Sequence, residues 1–81
     1  MKIKYFAWIK DITNKDYEII DKNYPKDIFE LKNRLIIMYP DLKKHISENV
    51  VRFAINMEYT SINEKLIPTD EIAIFPPVSG G

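Results

Sequence analysis

The chain opens on an alternation. In KIKYFAWIK, residues 2–10, Ile3, Tyr5, Ala7 and Ile9 fall on one side of an extended strand, and Lys2, Lys4, Phe6, Trp8 and Lys10 on the other. The first side is aliphatic enough for a core. The second mixes lysines with two large aromatics, an odd composition for a purely solvated face. DITNKD, residues 11–16, predicts a turn through Asn14 and Asp16, residue types that tolerate unusual backbone angles. YEII, residues 17–20, predicts a second strand that closes a hairpin with the first.

The period then changes. In KDIFELKNRLIIMYP, residues 26–40, Ile28, Leu31, Leu35 and Met38 recur at three- and four-residue spacing and predict a helix with a core-facing stripe, Met38 included. Asp27 can cap it, with Glu30 completing a capping box, and Pro40 ends it. DLKKHISEN, residues 41–49, is polar enough for at most a short helical turn. Its His45, the sole histidine, is expected in a surface or loop role. VVRFAINMEY, residues 50–59, predicts a third strand with Val51, Phe53, Ile55 and Met57 inward. TSINEKLIPTD, residues 60–70, predicts irregular chain plugged by Leu66. EIAIF, residues 71–75, predicts a last strand with Ile72 and Ile74 on one side and Ala73 and Phe75 on the other.

Strand, strand, helix, strand, strand implies an α+β fold in which one main helix covers one face of a mixed sheet. The other face is left bare, and the alternation puts Phe6, Trp8 and Phe75 on it. Three aromatics on two neighbouring strands would form a docking patch rather than scattered surface residues.

Composition narrows the function. The 81 residues amount to one domain, and a 46% hydrophobic content supports a folded core. Twelve basic and twelve acidic residues balance, which argues against a nucleic-acid binder. Without cysteine there is no disulfide, thiolate metal site or cysteine nucleophile, and no lipidation box. The four-residue apolar run near the N-terminus is too short for a signal peptide or a membrane span, so the expected compartment is the cytoplasm.

The glycines are the anomaly. Average usage would give roughly five or six in a chain of this size, yet there are two, Gly80 and Gly81. Ahead of them, Pro76 and Pro77 stop ladder pairing and stiffen the exit from the last strand. Val78 and Ser79 continue the extended run. From Pro76 onward the reach is at most roughly 20 Å. Residues 1–75 thus read as a domain and 76–81 as an extended, flexible tail. Such a tail can thread a channel and deliver a carboxylate, with no Cβ near the terminal carbonyl to block attack. A carboxylate is a poor electrophile and must first be activated, most simply as an acyl-adenylate. The chain has no Gly-rich phosphate loop of its own, so activation would fall to a partner using ATP.

AIFPPVSGG, residues 73–81, resembles the end of the MoaD family, the small sulfur-carrier subunits of molybdopterin synthase, which have a ubiquitin-like β-grasp fold. The resemblance extends to YFAWIKDI, the single helix, AIN at 54–56 and LIPTDEIAIFPPVSGG at 66–81. It departs at Ile74, where the family pattern has phenylalanine, and at Thr69, where it often has glycine. The resemblance implies a carrier with no bound cofactor or metal and no catalysis of its own. A MoeB-type, E1-like adenylyltransferase would activate Gly81 with ATP and magnesium, and sulfur-relay proteins would convert it to a thiocarboxylate. A MoaE-type large subunit, in a heterotetramer, would supply the catalytic residues and accept the tail. Cyclic pyranopterin monophosphate would take the sulfur. Gly80 would clear the channel. Phe75, Pro76, Pro77, Val78, Ser79, Phe6 and Trp8 would contact the partner. A sulfur carrier for thiazole synthesis and a ubiquitin-like protein modifier share the chemistry as far as the adenylate.

Overall fold

The computed structural model describes residues 1–77. The elements run β1 (Lys2–Tyr5), α1 (Trp8–Thr13), β2 (Tyr17–Ile19), α2 (Ile28–Met38), a 3-10 turn (Pro40–Leu42), α3 (Lys43–Ser47), β3 (Arg52–Ile55), β4 (Glu58–Thr60) and β5 (Glu71–Phe75). The strands form one mixed sheet in the order β2-β1-β5-β3-β4, with β1 and β5 parallel at its centre and the other pairs antiparallel.

Helix α2 forms where the 3.6-residue period predicts it. The Asp27 carboxylate accepts from the Glu30 amide at 2.8 Å, and the Glu30 carboxylate accepts from the Lys26 amide at 2.8 Å. Two N-terminal donors are thus satisfied by a box displaced one residue from the usual partner. Pro40 pushes Tyr39 out of helical geometry, to φ −133° and ψ 81°. Ile28, Leu31 and Leu35 are buried against Ile3, Tyr5, Phe53, Ile72 and Ile74 of the sheet, and Leu66 plugs the core from the loop before β5. Burying one such aliphatic side chain is worth about 1.5–3 kcal/mol.

Several sequence expectations change. The first strand stops at Tyr5, because Ala7 takes φ 54° and ψ −138° and turns the chain into α1. The Phe6 carbonyl accepts from the Ile9 amide at 3.2 Å, closing a turn of the II′ kind. Ile9 is buried as expected, but from a helix. The β1–β2 pair is therefore joined by a helix, and Asn14 caps it in the left-handed region.

The run 50–59 is a hairpin rather than one strand. Asn56 and Met57, at φ 50° and 72°, make its two-residue loop, leaving Met57 93% exposed. This adds a strand, β4, to the expected four. Met38 is 41% exposed, since Leu42 and Ile46 of the following turns fill the space beneath that end of α2. The 41–49 stretch forms the 3-10 turn and α3, and His45 lies half-buried on α3.

The internal turns show how the chain dispenses with glycine. Of the described non-glycine residues with positive φ, Asn14, Asn23, Asn49 and Asn56 are asparagines, the side chain that best tolerates that region. Thr69 needs no glycine either. The Asp70 amide donates to the Ile67 carbonyl at 3.0 Å, and Thr69 itself is not among the positive-φ residues. Ile74 is fully buried in the core, so its side chain fills the place expected of an aromatic.

Candidate functional site

The helices all lie on one side of the sheet, and the register fixes what the other side presents. Lys4 pairs with Tyr17 on one flank and Ala73 on the other; Ala73 pairs with Ala54, and Ala54 with Tyr59. One row therefore crosses all five strands as Tyr17, Lys4, Ala73, Ala54 and Tyr59. Its centre is two methyl groups and its ends are tyrosines, each 53–56% exposed. Beside that row lie Arg52 and Phe75, paired across β3 and β5, with Phe6 following on from β1. The Phe6 amide continues the ladder by donating to the Ile74 carbonyl at 3.0 Å. On the opposite side of the row lie Ile19, Lys2 and Glu71.

The face is an apolar saddle held by polar ties. The Lys4 ammonium pairs with Glu71 at 3.1 Å, and the Lys2 ammonium sits 4.7 Å from the centre of the Tyr17 ring. Arg52 Nη1 donates to the Tyr59 hydroxyl at 3.2 Å. Half-exposed pairs of this kind add at most about 1 kcal/mol each; their effect is to hold the long side chains across the strands. Between Phe6 and Tyr17 an open depression of about 260 Å³ is bordered by Lys4, Lys10 and Asp16.

Behind β1 and β2, on the helix side, a polar cluster fixes the sheet edge. Glu18 lies opposite Ile3, and its carboxylate accepts hydrogen bonds from the Tyr5 and Tyr39 hydroxyls and from Lys15 Nζ at 3.1 Å. Burial alone would push the Glu18 carboxyl up. The donors from Tyr39, Tyr5 and Lys15 outweigh it and hold the group below its ordinary value. Burial, followed by the bond to Glu18, raises the Tyr5 hydroxyl far above the ordinary tyrosine value.

Of the residues expected at the partner surface, Phe75 is half-buried on the bare face, at the last rung of the ladder. Pro76 follows half-buried and Pro77 exposed, neither in a strand. Phe6 borders the same face at 44% exposure. Trp8 does not belong to it: it begins α1, packs partly against the core and lies 4.7 Å, centre to centre, from the His45 ring. The positive φ at Ala7 separates the two aromatics. Val78, Ser79, Gly80 and Gly81, to which the tail chemistry was assigned, lie outside the described residues.

Tyr17, Tyr59, Ala54 and Arg52 went unassigned from sequence. The signal for Tyr17 was the alternation of YEI. The signal for Arg52 and Ala54 was their alternation with Val51 and Phe53, whereas Tyr59 was hidden because the 50–59 run reads as one strand until its hairpin loop is seen. Among the described residues no group of three or more acidic or histidine side chains converges as a metal site. No helix there is long and apolar enough to cross a membrane.

The family model described as the ThiS family matches residues 3–81. The chain belongs to the ThiS family. It is 37% identical to the molybdopterin synthase sulfur carrier subunit of Dictyostelium discoideum, over 99% of this chain and 94% of that protein. It is 31% identical to the human protein of the same name, over 100% of this chain and 93% of that one. The resemblance read from AIFPPVSGG is thereby borne out. Among solved structures, a candidate molybdopterin converting factor, subunit 1, from Pyrococcus furiosus superposes with a TM-score of 0.80 at 26% identity, covering 95% of each chain. SAMP1 from Haloferax volcanii superposes at 0.77 with 23% identity, covering 99% of this chain and 97% of that one. The ThiS-family fold of this chain is the ubiquitin-like β-grasp, α+β with a mixed sheet.

Proposed function

We propose that this chain is the sulfur carrier of molybdopterin synthase, docking through its bare sheet face and delivering sulfur on the carboxyl of Gly81. The observation that carries the reading is the position of Phe75. It is the last residue of the central strand β5 and lies on the uncovered face, immediately before the two prolines that lead to Gly80-Gly81. A partner that covers Phe75 thereby receives the start of the tail. The two relatives that carry the same name and match almost the whole chain support the same assignment.

In this reading a MoeB-type adenylyltransferase lets the Gly81 carboxylate attack the α-phosphorus of magnesium-bound ATP, forming the acyl-adenylate and releasing pyrophosphate. The outer sulfur of a persulfide on a sulfur-relay protein then displaces AMP to give an acyl disulfide, and a thiol of the relay cleaves the S–S bond, leaving the thiocarboxylate on Gly81 and a disulfide on the relay. The charged carrier docks on a MoaE-type large subunit in a heterotetramer. Pro76, Pro77, Val78 and Ser79 line the way in, and Gly80 leaves the approach to the reacting carbonyl unobstructed. Catalytic groups belong to the large subunit; this chain brings the sulfur. It acts in the cytoplasm and binds no cofactor itself.

The test is reconstitution. Charged carrier, large subunit and cyclic pyranopterin monophosphate are combined, and the dithiolene product is assayed. Deleting Gly81 or substituting Gly80→Val abolishes product with little change in melting temperature, because the buried core cluster runs from Ile3 to Ile74 and terminal residues ordinarily add few packing contacts. Normal turnover by either variant contradicts the proposal.

A further inference from the structure

We infer that the free edge of β2 takes up an extended segment of the protein that covers the bare face, as a sixth strand bonded to the backbone of Tyr17 and Ile19. This rests on the docking face proposed above and specifies how the partner meets one side of it.

The ladder decides which backbone groups are free. Bonded and non-bonded pairs alternate along two antiparallel strands. The Tyr5 amide donates to the Asp16 carbonyl at 2.8 Å, and the Ile20 amide to the Met1 carbonyl at 2.8 Å. Ile3 lies opposite Glu18 between them, so residues 16, 18 and 20 bond to β1. The Lys2 and Phe6 amides point the other way, to the Asp70 and Ile74 carbonyls. Tyr17 and Ile19 therefore aim their N–H and C=O groups outward, past the last strand of the sheet. No turn or loop backbone among the described residues bonds to them. Their side chains are exposed and lie on the bare face.

The other edge of the sheet offers less. In the hairpin closed by Asn56 and Met57, Ile55 bonds to Glu58 and Phe53 to Thr60, so only Tyr59 of β4 faces outward.

A partner on the bare face reaches β2. This strand is two strand spacings, about 10 Å, from β5. An interface patch of about 800 Å² per partner extends roughly 16 Å from its centre, so one centred on Ala73 and Phe75 overlies Tyr17 and Ile19. Backbone groups covered there lose water and need new partners. Donors and acceptors repeating at every second residue of an extended chain match another extended chain, the geometry of strand addition.

Side chains define the segment. Its residues that meet Tyr17 and Ile19 are apolar. Its residue opposite Glu18 points to the helix side, where the carboxylate already holds Tyr5, Tyr39 and Lys15, and it is not acidic. A second copy of this chain fails that condition. Antiparallel pairing of β2 with itself joins Tyr17 to Ile19 and sets two Glu18 carboxylates opposite each other.

Amide hydrogen exchange of isotope-labelled carrier, followed by NMR with and without the large subunit, tests this. In the free carrier the Tyr17 and Ile19 amides exchange fast, while those of Glu18 and Ile20, bonded to β1, are slow. Large-subunit binding slows Tyr17 and Ile19 by at least about tenfold. Ile19→Pro removes one outward donor and no ladder bond, so it keeps the fold. It weakens binding several-fold more than Ile19→Ala, which keeps the amide. Fast exchange of both amides in the complex overturns the added strand. Equal affinity in Ile19→Pro and Ile19→Ala overturns it too, since the amides are then covered but unbonded. Where Phe75→Ala still weakens binding, either result leaves the docking face standing. Parental affinity in Phe75→Ala overturns the face and the strand together.

Discussion

Ala73 and Ala54 face each other across the β5–β3 ladder, at the centre of the one sheet surface that no helix covers. Two methyl groups flanked by Tyr17, Tyr59, Phe6 and Phe75 make a hollow with an aromatic rim. A partner's apolar side chain can enter the hollow while Phe75 enters a pocket of the partner. Buried aromatic anchors near the centre of an interface dominate its energy. Phe75→Ala is expected to weaken large-subunit binding by at least about tenfold, or 1.4 kcal/mol. Ala73→Arg, which fills the hollow, is expected to do the same. Both variants keep their melting temperature, since these side chains point away from the core. Calorimetric titration reads the affinities.

Trp8 is expected to behave in the opposite way. It packs on His45 and partly against the hydrophobic core, so Trp8→Ala costs about 2 kcal/mol of stability, a partial share of what a fully buried aromatic contributes. Large-subunit affinity of the folded variant stays at the parental value. Chemical denaturation alongside titration separates the two effects.

The Glu18 cluster sets both pH limbs of stability. Glu18 is held below its ordinary value, 4.5, so its contribution is complete above that pH and is lost as pH falls through the lower folded value. Tyr5 is raised, so its contribution is complete below pH 10.0 and is lost as pH climbs beyond it. Glu18→Gln is expected to cost about 1–2 kcal/mol at neutral pH, and the gap to the parent narrows as the solution is acidified. Urea unfolding at a series of pH values measures it.

Met57 occupies the left-handed region at φ 72° with its side chain 93% exposed, so it incurs backbone strain with little packing in return. Met57→Gly creates an Asn-Gly hairpin loop and is expected to stabilise the fold by about 0.5–1 kcal/mol. A rise in melting temperature checks this.

These two positive-φ sites also explain what the sequence hid. Helix α2, β5 and the Leu66 plug were legible because burial follows period there: Ile28, Leu31 and Leu35 at helical spacing, Ile72 and Ile74 at strand spacing. The β1 alternation runs on through Ala7 and Ile9, and nothing in an alanine announces φ 54°; that backbone state costs about 1–3 kcal/mol and is held by the surrounding packing. Trp8 was misplaced for that reason alone. At Asn56-Met57 the same lack of glycine concealed a hairpin and, with it, Tyr59 as the second rim of the bare face. Phe75 and Phe6 were placed correctly because the chain remains on its ladder up to both of them.

The central claim is covalent, and the intact mass of the protein isolated from cells with its pathway present tests it most directly. A fraction is expected to carry sulfur in place of one oxygen, with C-terminal peptide analysis assigning the change to Gly81. That fraction rises after incubation with the activating enzyme, ATP and a sulfur source. A homogeneous carboxylate under both conditions would contradict the carrier function.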